Sequence, residues 1–226
     1  MGPIDAIIDQ LMLPFLQFCY QNIIPNYGIG IILLTLLVKA LFYPLTAKQF
    51  ESMKVMRKLN PEIQKIRQKF SKDPQKAHFA IMELYKKNNA NPMKGCLPSI
   101  IQIPIFIAIF YAVHSEGFTE MLAVPGINKG FTPFWISDLS LPDPTFVLPI
   151  LIGALTYYSQ KIMVMDENQK KIMMFMPVII LVMSVKMPAG VLLYWVTSTA
   201  VQTIQQYLAN QEGSAEKPEI IEKIKT

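Results

Sequence analysis

The amino-acid sequence predicts an all-α integral membrane protein, on the basis of its composition, its long apolar segments and the uneven placement of its charges. Of the 226 residues, 52% are hydrophobic and 16% are charged, whereas about 25% of residues are charged in an ordinary soluble domain. The mean hydropathy of +0.32 argues against a soluble enzyme. Two cysteines, Cys19 and Cys96, are too few for a disulfide scaffold or a Cys-rich zinc site.

Five apolar segments are predicted to be transmembrane helices. A helix rises about 1.5 Å per residue, so about 20 apolar residues cross a hydrocarbon core of about 30 Å. The predicted segments are residues 27–46, 97–114, 146–163, 172–187 and 189–208. The fourth segment has the shortest apolar run. Because the number of spans is odd, the two termini are predicted to lie on opposite sides of the membrane.

Residues 1–26 are predicted to form an amphipathic segment that lies in the interface on the outer side. They contain two Asp and no Lys or Arg, which is unlike a cleaved signal peptide. Pro14 interrupts their apolar pattern, so the segment is unsuited to span the bilayer.

The charges of the connecting segments predict the orientation. Residues 48–94 carry 12 Lys and Arg against four acids, whereas residues 115–145 carry one Lys against four acids. Because basic loops stay in the cytoplasm, the basic segment is predicted to be cytoplasmic. The N-terminus and the loop 115–145 are then outside, and the tail 209–226 is cytoplasmic.

The basic segment 47–94 is predicted to be a helical hairpin. Its apolar residues recur at intervals of three and four on both sides of a break at residues 71–74, a spacing typical of one helix face. Two such helices joined by a short turn form an antiparallel pair. Its basic residues are interpreted either as a solvated face or as a docking surface for anionic lipid, ribosomal RNA or acidic chains.

Polar side chains inside the predicted spans are costly there and mark candidate functional positions. Thr35 and Lys39 lie four residues apart, on one face of a helix. Individually, many such residues pack helices together; collectively, they can line a wet cavity. The candidate set is Thr35, Lys39, Gln102, Gln160, Tyr194, Trp195, Ser198 and Gln202.

Lys39 is the most informative member of this set. No predicted span contains Asp or Glu, so a permanent salt bridge within the spans is excluded. Its charge is therefore solvated by water or by a group that visits. The spacing leaves two interpretations open, a cation that faces a groove and a side chain that snorkels to the interface.

Motifs of catalysis are absent from the sequence. It has no H-E-x-x-H, no G-x-S-x-G and no G-x-x-x-x-G-K-[ST] motif, and its two histidines, His78 and His114, are predicted to lie on opposite sides of the membrane. We therefore expect no enzyme, no metal site and no cofactor.

Five sets of residues, in order along the chain, resemble the YidC family of membrane protein insertases. They are residues 37–49 (LVKALFYPLTAKQ), residues 91–98 (NPMKGCLP) with 102–106 (QIPIF), residues 135–140 (WISDLS) with 142–144 (PDP), residues 169–173 (QKKIM) with 175–177 (FMP), and residues 193–195 (LYW). The resemblance covers essentially the whole chain and corresponds to the compact five-span core, without the large periplasmic domain of Gram-negative relatives.

The resemblance implies five transmembrane helices that enclose a hydrophilic groove, open to the cytoplasm and to lipid and closed on the outside. Lys39 stands where the family usually has Arg, and Lys lacks the bidentate fork of that residue. Further groove positions implied by the resemblance are Thr35, Gln102, Tyr194 and Trp195. The expected location is the plasma (inner) membrane of a bacterium, with an organelle membrane as the alternative.

The partners implied by the resemblance are nascent membrane proteins and the lipid bilayer, with no role for DNA. The ribosome and the Sec translocon stay open as further partners. Family members often dock on the ribosome through a long basic tail, but residues 213–226 carry three Lys and three Glu. Ribosome docking by this tail is therefore not expected.

Two other functions are compatible with the residues. One is a small solute channel or transporter whose pore contains Lys39 and the polar residues of the fifth span. A pore requires a polar face that continues outward, whereas residues 29–34 and 178–182 are apolar. The other is an assembly factor for oligomeric membrane complexes, which overlaps with insertion.

Overall fold

The computed structural model describes residues 3–88, 90, 93–124, 126–127, 130–131, 135–162 and 173–215. In these ranges the chain is helical, with isolated bridges Phe131–Ile136 and Pro142–Pro188 and no β-strand, as the sequence predicts. The helices are α1 Pro3–Ile7, a π-helical turn Ile8–Met12, α2 Leu13–Asn22, α3 Tyr27–Leu41, α4 Tyr43–Lys69, α5 Pro74–Lys87, α6 Met93–His114, α7 Glu116–Ala123, α8 Val147–Ile162, α9 Met176–Ser184 and α10 Ala189–Ala215.

Side-chain caps explain where several helices begin. The side chain of Asn26 accepts a hydrogen bond from the Ile29 N–H at the start of α3. Asp73 accepts one from the Lys76 N–H at the start of α5, and Pro74 follows as the first residue of that helix. A cap satisfies an N–H group that has no partner inside the helix, and proline has no N–H to lose at that position.

The helix that starts at Tyr27 ends at Leu41, before the predicted end of the first span at residue 46. Pro44 lies in the first turn of α4, and a proline cannot continue the preceding helix because its ring clashes with the turn before it. The axes of α3 and α4 differ by 62° at this break. The bend turns the first residues of α4 toward the other helices.

The core of the bundle surrounds α10, which packs against α3, α6 and α8, while α9 packs on α8. Val191 and Leu192 of α10 are completely buried and share one apolar cluster with Ile31 of α3 and Ile109 of α6. The α2 helix and the π-helical turn also join this cluster through Leu16 and neighbouring residues.

A helix that spans a membrane has to be both long and apolar. Within the described ranges no single helix is both long and apolar enough, but two bent pairs of consecutive helices meet the requirement together. They are Tyr27–Leu41 with Tyr43–Lys69, bent by 62°, and Gln102–His114 with Glu116–Ala123, bent by 49°.

The two arms of the predicted hairpin are α4 and α5. Leu59 and Ile63 of α4 are buried against Ile81 of α5 and Ala90, so the apolar faces of the two helices meet. The guanidinium of Arg57 also donates a hydrogen bond of 3.0 Å to the Ile162 carbonyl at the end of α8. This hydrogen bond ties the middle of α4 to the end of α8.

Several of the sequence predictions extend beyond the described residues. The fourth predicted span begins at residue 172, but the described helix there is Met176–Ser184. The predicted cytoplasmic connection between the third and fourth spans lies outside the described residues, as does the tail beyond residue 215.

Candidate functional site

A groove with several polar side chains in its walls lies between α3, α4, α6 and α10. Its empty space is about 490 Å³, including the part open to the exterior. On α3, α4 and α6 the lining residues are spaced by three or four, and on α10 they are eight apart, spacings that place residues on one face of a helix. The lining residues are Thr35, Val38, Lys39, Phe42, Leu45, Thr46, Gln49, Gln102, Ile105, Tyr194 and Gln202.

Gln102 of α6 is the centre of a hydrogen-bond network in this groove. Its Oε1 accepts hydrogen bonds from Lys39 Nζ at 3.4 Å and from Ser198 Oγ at 3.2 Å. Its Nε2 donates to the hydroxyl of Tyr194. One amide therefore joins α3, α6 and α10 and directs the Lys39 ammonium into the groove.

Lys39 has a neutral partner rather than an acidic one. Within the described residues no carboxylate pairs with its half-buried side chain. A neutral amide leaves the positive charge uncompensated, so the electrostatic field of the ammonium extends into the groove. The geometry agrees with a groove-facing cation, and it provides an anchor that a snorkelling side chain would lack.

The structure brings most of the predicted site residues together. Thr35, Lys39, Gln102, Tyr194 and Gln202 line the groove, and Ser198 joins it through Gln102. Thr35 is fully buried, and its hydroxyl donates to the Ile31 carbonyl at 2.7 Å, so that hydroxyl is already engaged in its own helix.

Two predicted site residues do not line the groove. Trp195 packs on the apolar core, where its ring meets the edge of Phe106 with 5.1 Å between ring centroids. Gln160 lies on α8, which does not contribute to the groove wall. Its neighbour Ser159 donates a hydrogen bond of 3.2 Å to Gln206, so α8 and α10 have a separate polar contact.

The sequence did not single out Gln49, which the structure places in the groove wall. Residue 49 was assigned to the cytoplasmic hairpin, where a glutamine carries no particular signal. The available signal was Pro44, which predicts the start of a new helix. Thr46 and Gln49 then lie three residues apart, on one face of that helix.

The end of the bundle opposite the groove is closed by the loop before α8. The N–H groups of Ala189 and Gly190, at the start of α10, donate to the carbonyls of Leu141 and Leu139, both at 2.8 Å. The carboxylate of Asp143, in the same loop, accepts from the Leu148 N–H at 2.7 Å and caps α8.

Asp143 is buried, and its carboxylate accepts several hydrogen bonds. Burial raises the pKa of Asp143, but the hydrogen bonds from the Leu148 N–H and from the N–H and hydroxyl of Thr145 lower it, so that the pKa lies below its ordinary value. An anion with several donors can remain charged in a buried site. The carboxylate thus holds the loop and the start of α8 together.

The groove can offer a positive charge and amide and hydroxyl groups to a ligand. In the described ranges His, Cys, Asp and Glu form no group of three that is suited to a metal ion.

Comparisons with known proteins point to one family. The sequence model of the family described as 60Kd inner membrane protein matches residues 18–216. A membrane protein insertase YidC from Aeromonas salmonicida is 42% identical over 199 residues, which cover 86% of this chain and 34% of the relative. One from Fusobacterium nucleatum is 41% identical over 214 residues and is covered completely, with 92% of this chain aligned.

The chain spans about a third of the length of the Aeromonas relative. Among solved structures, the crystal structure of an active YidC insertase with its first transmembrane domain resolved is similar, with a TM-score of 0.72 and 30% identity. The alignment covers 92% of this chain and 47% of that one. The prediction of an all-α membrane fold is thus confirmed.

Proposed function

Because the chain belongs to the 60Kd inner membrane protein family, we propose that it is a membrane protein insertase of a bacterial inner membrane. The substrates would be nascent membrane proteins. The observation that carries this proposal is the groove cation Lys39, which is bound to the neutral amide of Gln102 and is left available for a visiting negative charge.

The proposed action needs no covalent chemistry. A nascent segment with a short, mildly acidic tail enters the groove, where water and Lys39 reduce the cost of removing its charges from bulk water. The apolar part of the segment then moves into lipid, and its burial there drives the last step. The protein acts as a chaperone of this transfer rather than as an enzyme.

The proposed topology has five spans, with the N-terminus outside and the hairpin and C-terminus in the cytoplasm. In this orientation the membrane potential assists the outward movement of an acidic tail by about 2.3 kcal/mol per charge per 100 mV. The nine-residue α9 favours a locally thin bilayer, which shortens the distance over which the tail travels.

Reconstitution into liposomes that contain no other protein tests the proposal. The assay measures protease protection of a short single-span substrate, with protein-free liposomes as the control. We expect the tail to become protected only when the protein is present. A failure of insertion, together with a flux of small solutes through the same liposomes, would instead support the solute channel.

Thiol labelling tests the direction in which the groove opens. In a Cys-free background, a thiol probe that does not cross membranes is applied to the variants Gln102→Cys and Gln202→Cys, both in the groove wall, from either side. We expect labelling from the cytoplasmic side alone, since the loop that carries Asp143 closes the opposite end. Equal labelling rates from both sides would contradict a groove sealed on the outside.

A further inference from the structure

Gln49 is a buried polar side chain without a hydrogen bond. It lies in the wall of the groove, its side chain is 3% exposed, and neither Nε2 nor Oε1 has a partner among the described residues. Burial of an amide without hydrogen bonds is unfavourable by about 1–3 kcal/mol. Such groups are uncommon in native proteins, and each calls for an explanation.

Among the other polar groups of the groove, the side chains of Gln102 and Thr46 are already engaged. The amide of Gln102 bonds with Lys39, Ser198 and Tyr194. The hydroxyl of Thr46 donates to the Phe42 carbonyl at 3.0 Å, inside its own helix. Gln49 differs from these groups because both its donor and its acceptor are uncommitted, so the groove holds an amide that a ligand can use without the loss of an existing bond.

We propose that Gln49 binds the peptide backbone of a chain that enters the groove. A carboxamide carries an N–H donor beside a C=O acceptor, so it can donate to one backbone carbonyl and accept from one backbone N–H. These backbone groups are the same in nearly every sequence. Gln49 would thus recognise any extended segment, while Lys39 acts on charged side chains; the inference rests on the proposed insertase function.

Access to the amide requires a small movement. Gln49 is covered in the present arrangement, so either its side chain rotates into the groove or the α4 wall moves outward. Neither motion breaks a side-chain hydrogen bond of Gln49, because none is formed. The bend between α3 and α4 is the natural place for a movement of the wall.

A structural role and a substrate-binding role of the Gln49 amide lead to different expected results. Replacement of an unsatisfied buried amide by an apolar side chain of similar size leaves stability unchanged or raises it. If Gln49 binds substrate, Gln49→Leu should therefore lose function while its Tm stays the same or increases. If Gln49 supports the fold, function and Tm should decrease together.

The experiment compares wild type, Gln49→Leu, Gln49→Asn and the control Gln64→Leu, whose site is exposed on the same helix. Two single-span substrates carry uncharged tails of equal length, one rich in Ala and one with Pro at alternate positions, where the backbone N–H is missing. In liposomes we expect Gln49→Leu to insert the Ala tail about fivefold more slowly, the effect of one net hydrogen bond.

The Pro tail separates backbone recognition from other effects. We expect Gln49→Leu to slow insertion of the Pro tail less than insertion of the Ala tail, because half of the backbone N–H groups of the Pro tail are missing while its carbonyls can still accept from Gln49 Nε2. Gln49→Asn should recover part of the Ala-tail rate, and Gln64→Leu should equal wild type. A wild-type rate for Gln49→Leu, an equal slowing of both tails or a lower Tm would each overturn the proposal.

Binding of the isolated tail peptides to the detergent-solubilised protein gives a readout that does not depend on insertion. We expect Gln49→Leu to weaken binding of the Ala tail about fivefold and to weaken binding of the Pro tail less. If this difference is found but wild type inserts neither substrate, the insertase function fails and the peptide site stands. If insertion occurs without the difference, the peptide site fails alone.

Discussion

Replacement of Lys39 by alanine should impair insertion of acidic tails while leaving the fold intact. The bond from Lys39 to Gln102 is long, at 3.4 Å, and the same oxygen of Gln102 keeps the hydrogen bond from Ser198. The amide thus remains satisfied in the variant. We therefore expect the free energy of unfolding to change by less than about 1 kcal/mol.

The effect on an acidic substrate follows from Coulomb's law. A carboxylate about 4 Å from the ammonium gains about 1 kcal/mol in bulk water and about 4 kcal/mol at the effective dielectric constant of a protein surface. Because Lys39 is half-buried beside an open groove, the gain lies between these values. We expect Lys39→Ala to slow insertion of a tail with one carboxylate by about tenfold, near 1.4 kcal/mol.

The assay measures insertion of one substrate with its tail carboxylate present or replaced by an amide. Lys39→Arg should retain activity because it keeps the charge, and Lys39→Glu should be the slowest because it repels the tail. The neutral tail should respond much less to every variant. Equal insertion of both tails by wild type and Lys39→Ala, at matched protein levels, would refute the reasoning.

Three further predictions concern the surrounding structure. Asp143→Ala should lower the free energy of unfolding by about 3 kcal/mol, since buried donors lose their acceptor. In the wild type, the part of this contribution that comes from the lowered pKa of Asp143 is complete above an unfolded-state pKa of about 4. That part should be lost as the pH falls through the lower folded pKa, as thermal unfolding at several pH values will detect. Phe146 has φ = 58°, so Phe146→Gly should be more stable than Phe146→Ala by about 1 kcal/mol in thermal unfolding. Arg57→Ala should raise hydrogen exchange in α4 about tenfold, through loss of the bond to Ile162; unchanged exchange would show that this bond does not hold the hairpin.

The sequence was sufficient to predict the class of the protein and most of the polar residues of the groove. Composition and the length of the apolar segments indicate which parts of the chain lie in lipid and which lie in water. The spacing of Thr35 and Lys39 places both on one helix face. Motifs along the chain pointed to the family. These features are local, so they can be recognised before any contact between helices is known.

Periodicity could not identify the partners across the groove. Gln102 lies 63 residues from Lys39 and 92 residues from Tyr194 in sequence, and helix packing alone brings the three together. Tyr194 and Trp195 were equal candidates, but successive residues point about 100° apart around a helix. The position of α10 against α3 and α6 turned the tyrosine into the groove and the tryptophan into the core.

The sequence by itself determined which long segments are apolar, where the charges lie and which polar residues share a helix face. The tertiary structure alone decided that Gln49 belongs to the groove. Its own segment is polar and basic, and it was assigned to the hairpin for that reason. The 62° bend between α3 and α4 brings the start of α4 against α6 and α10, and the direction of such a bend depends on packing between distant helices.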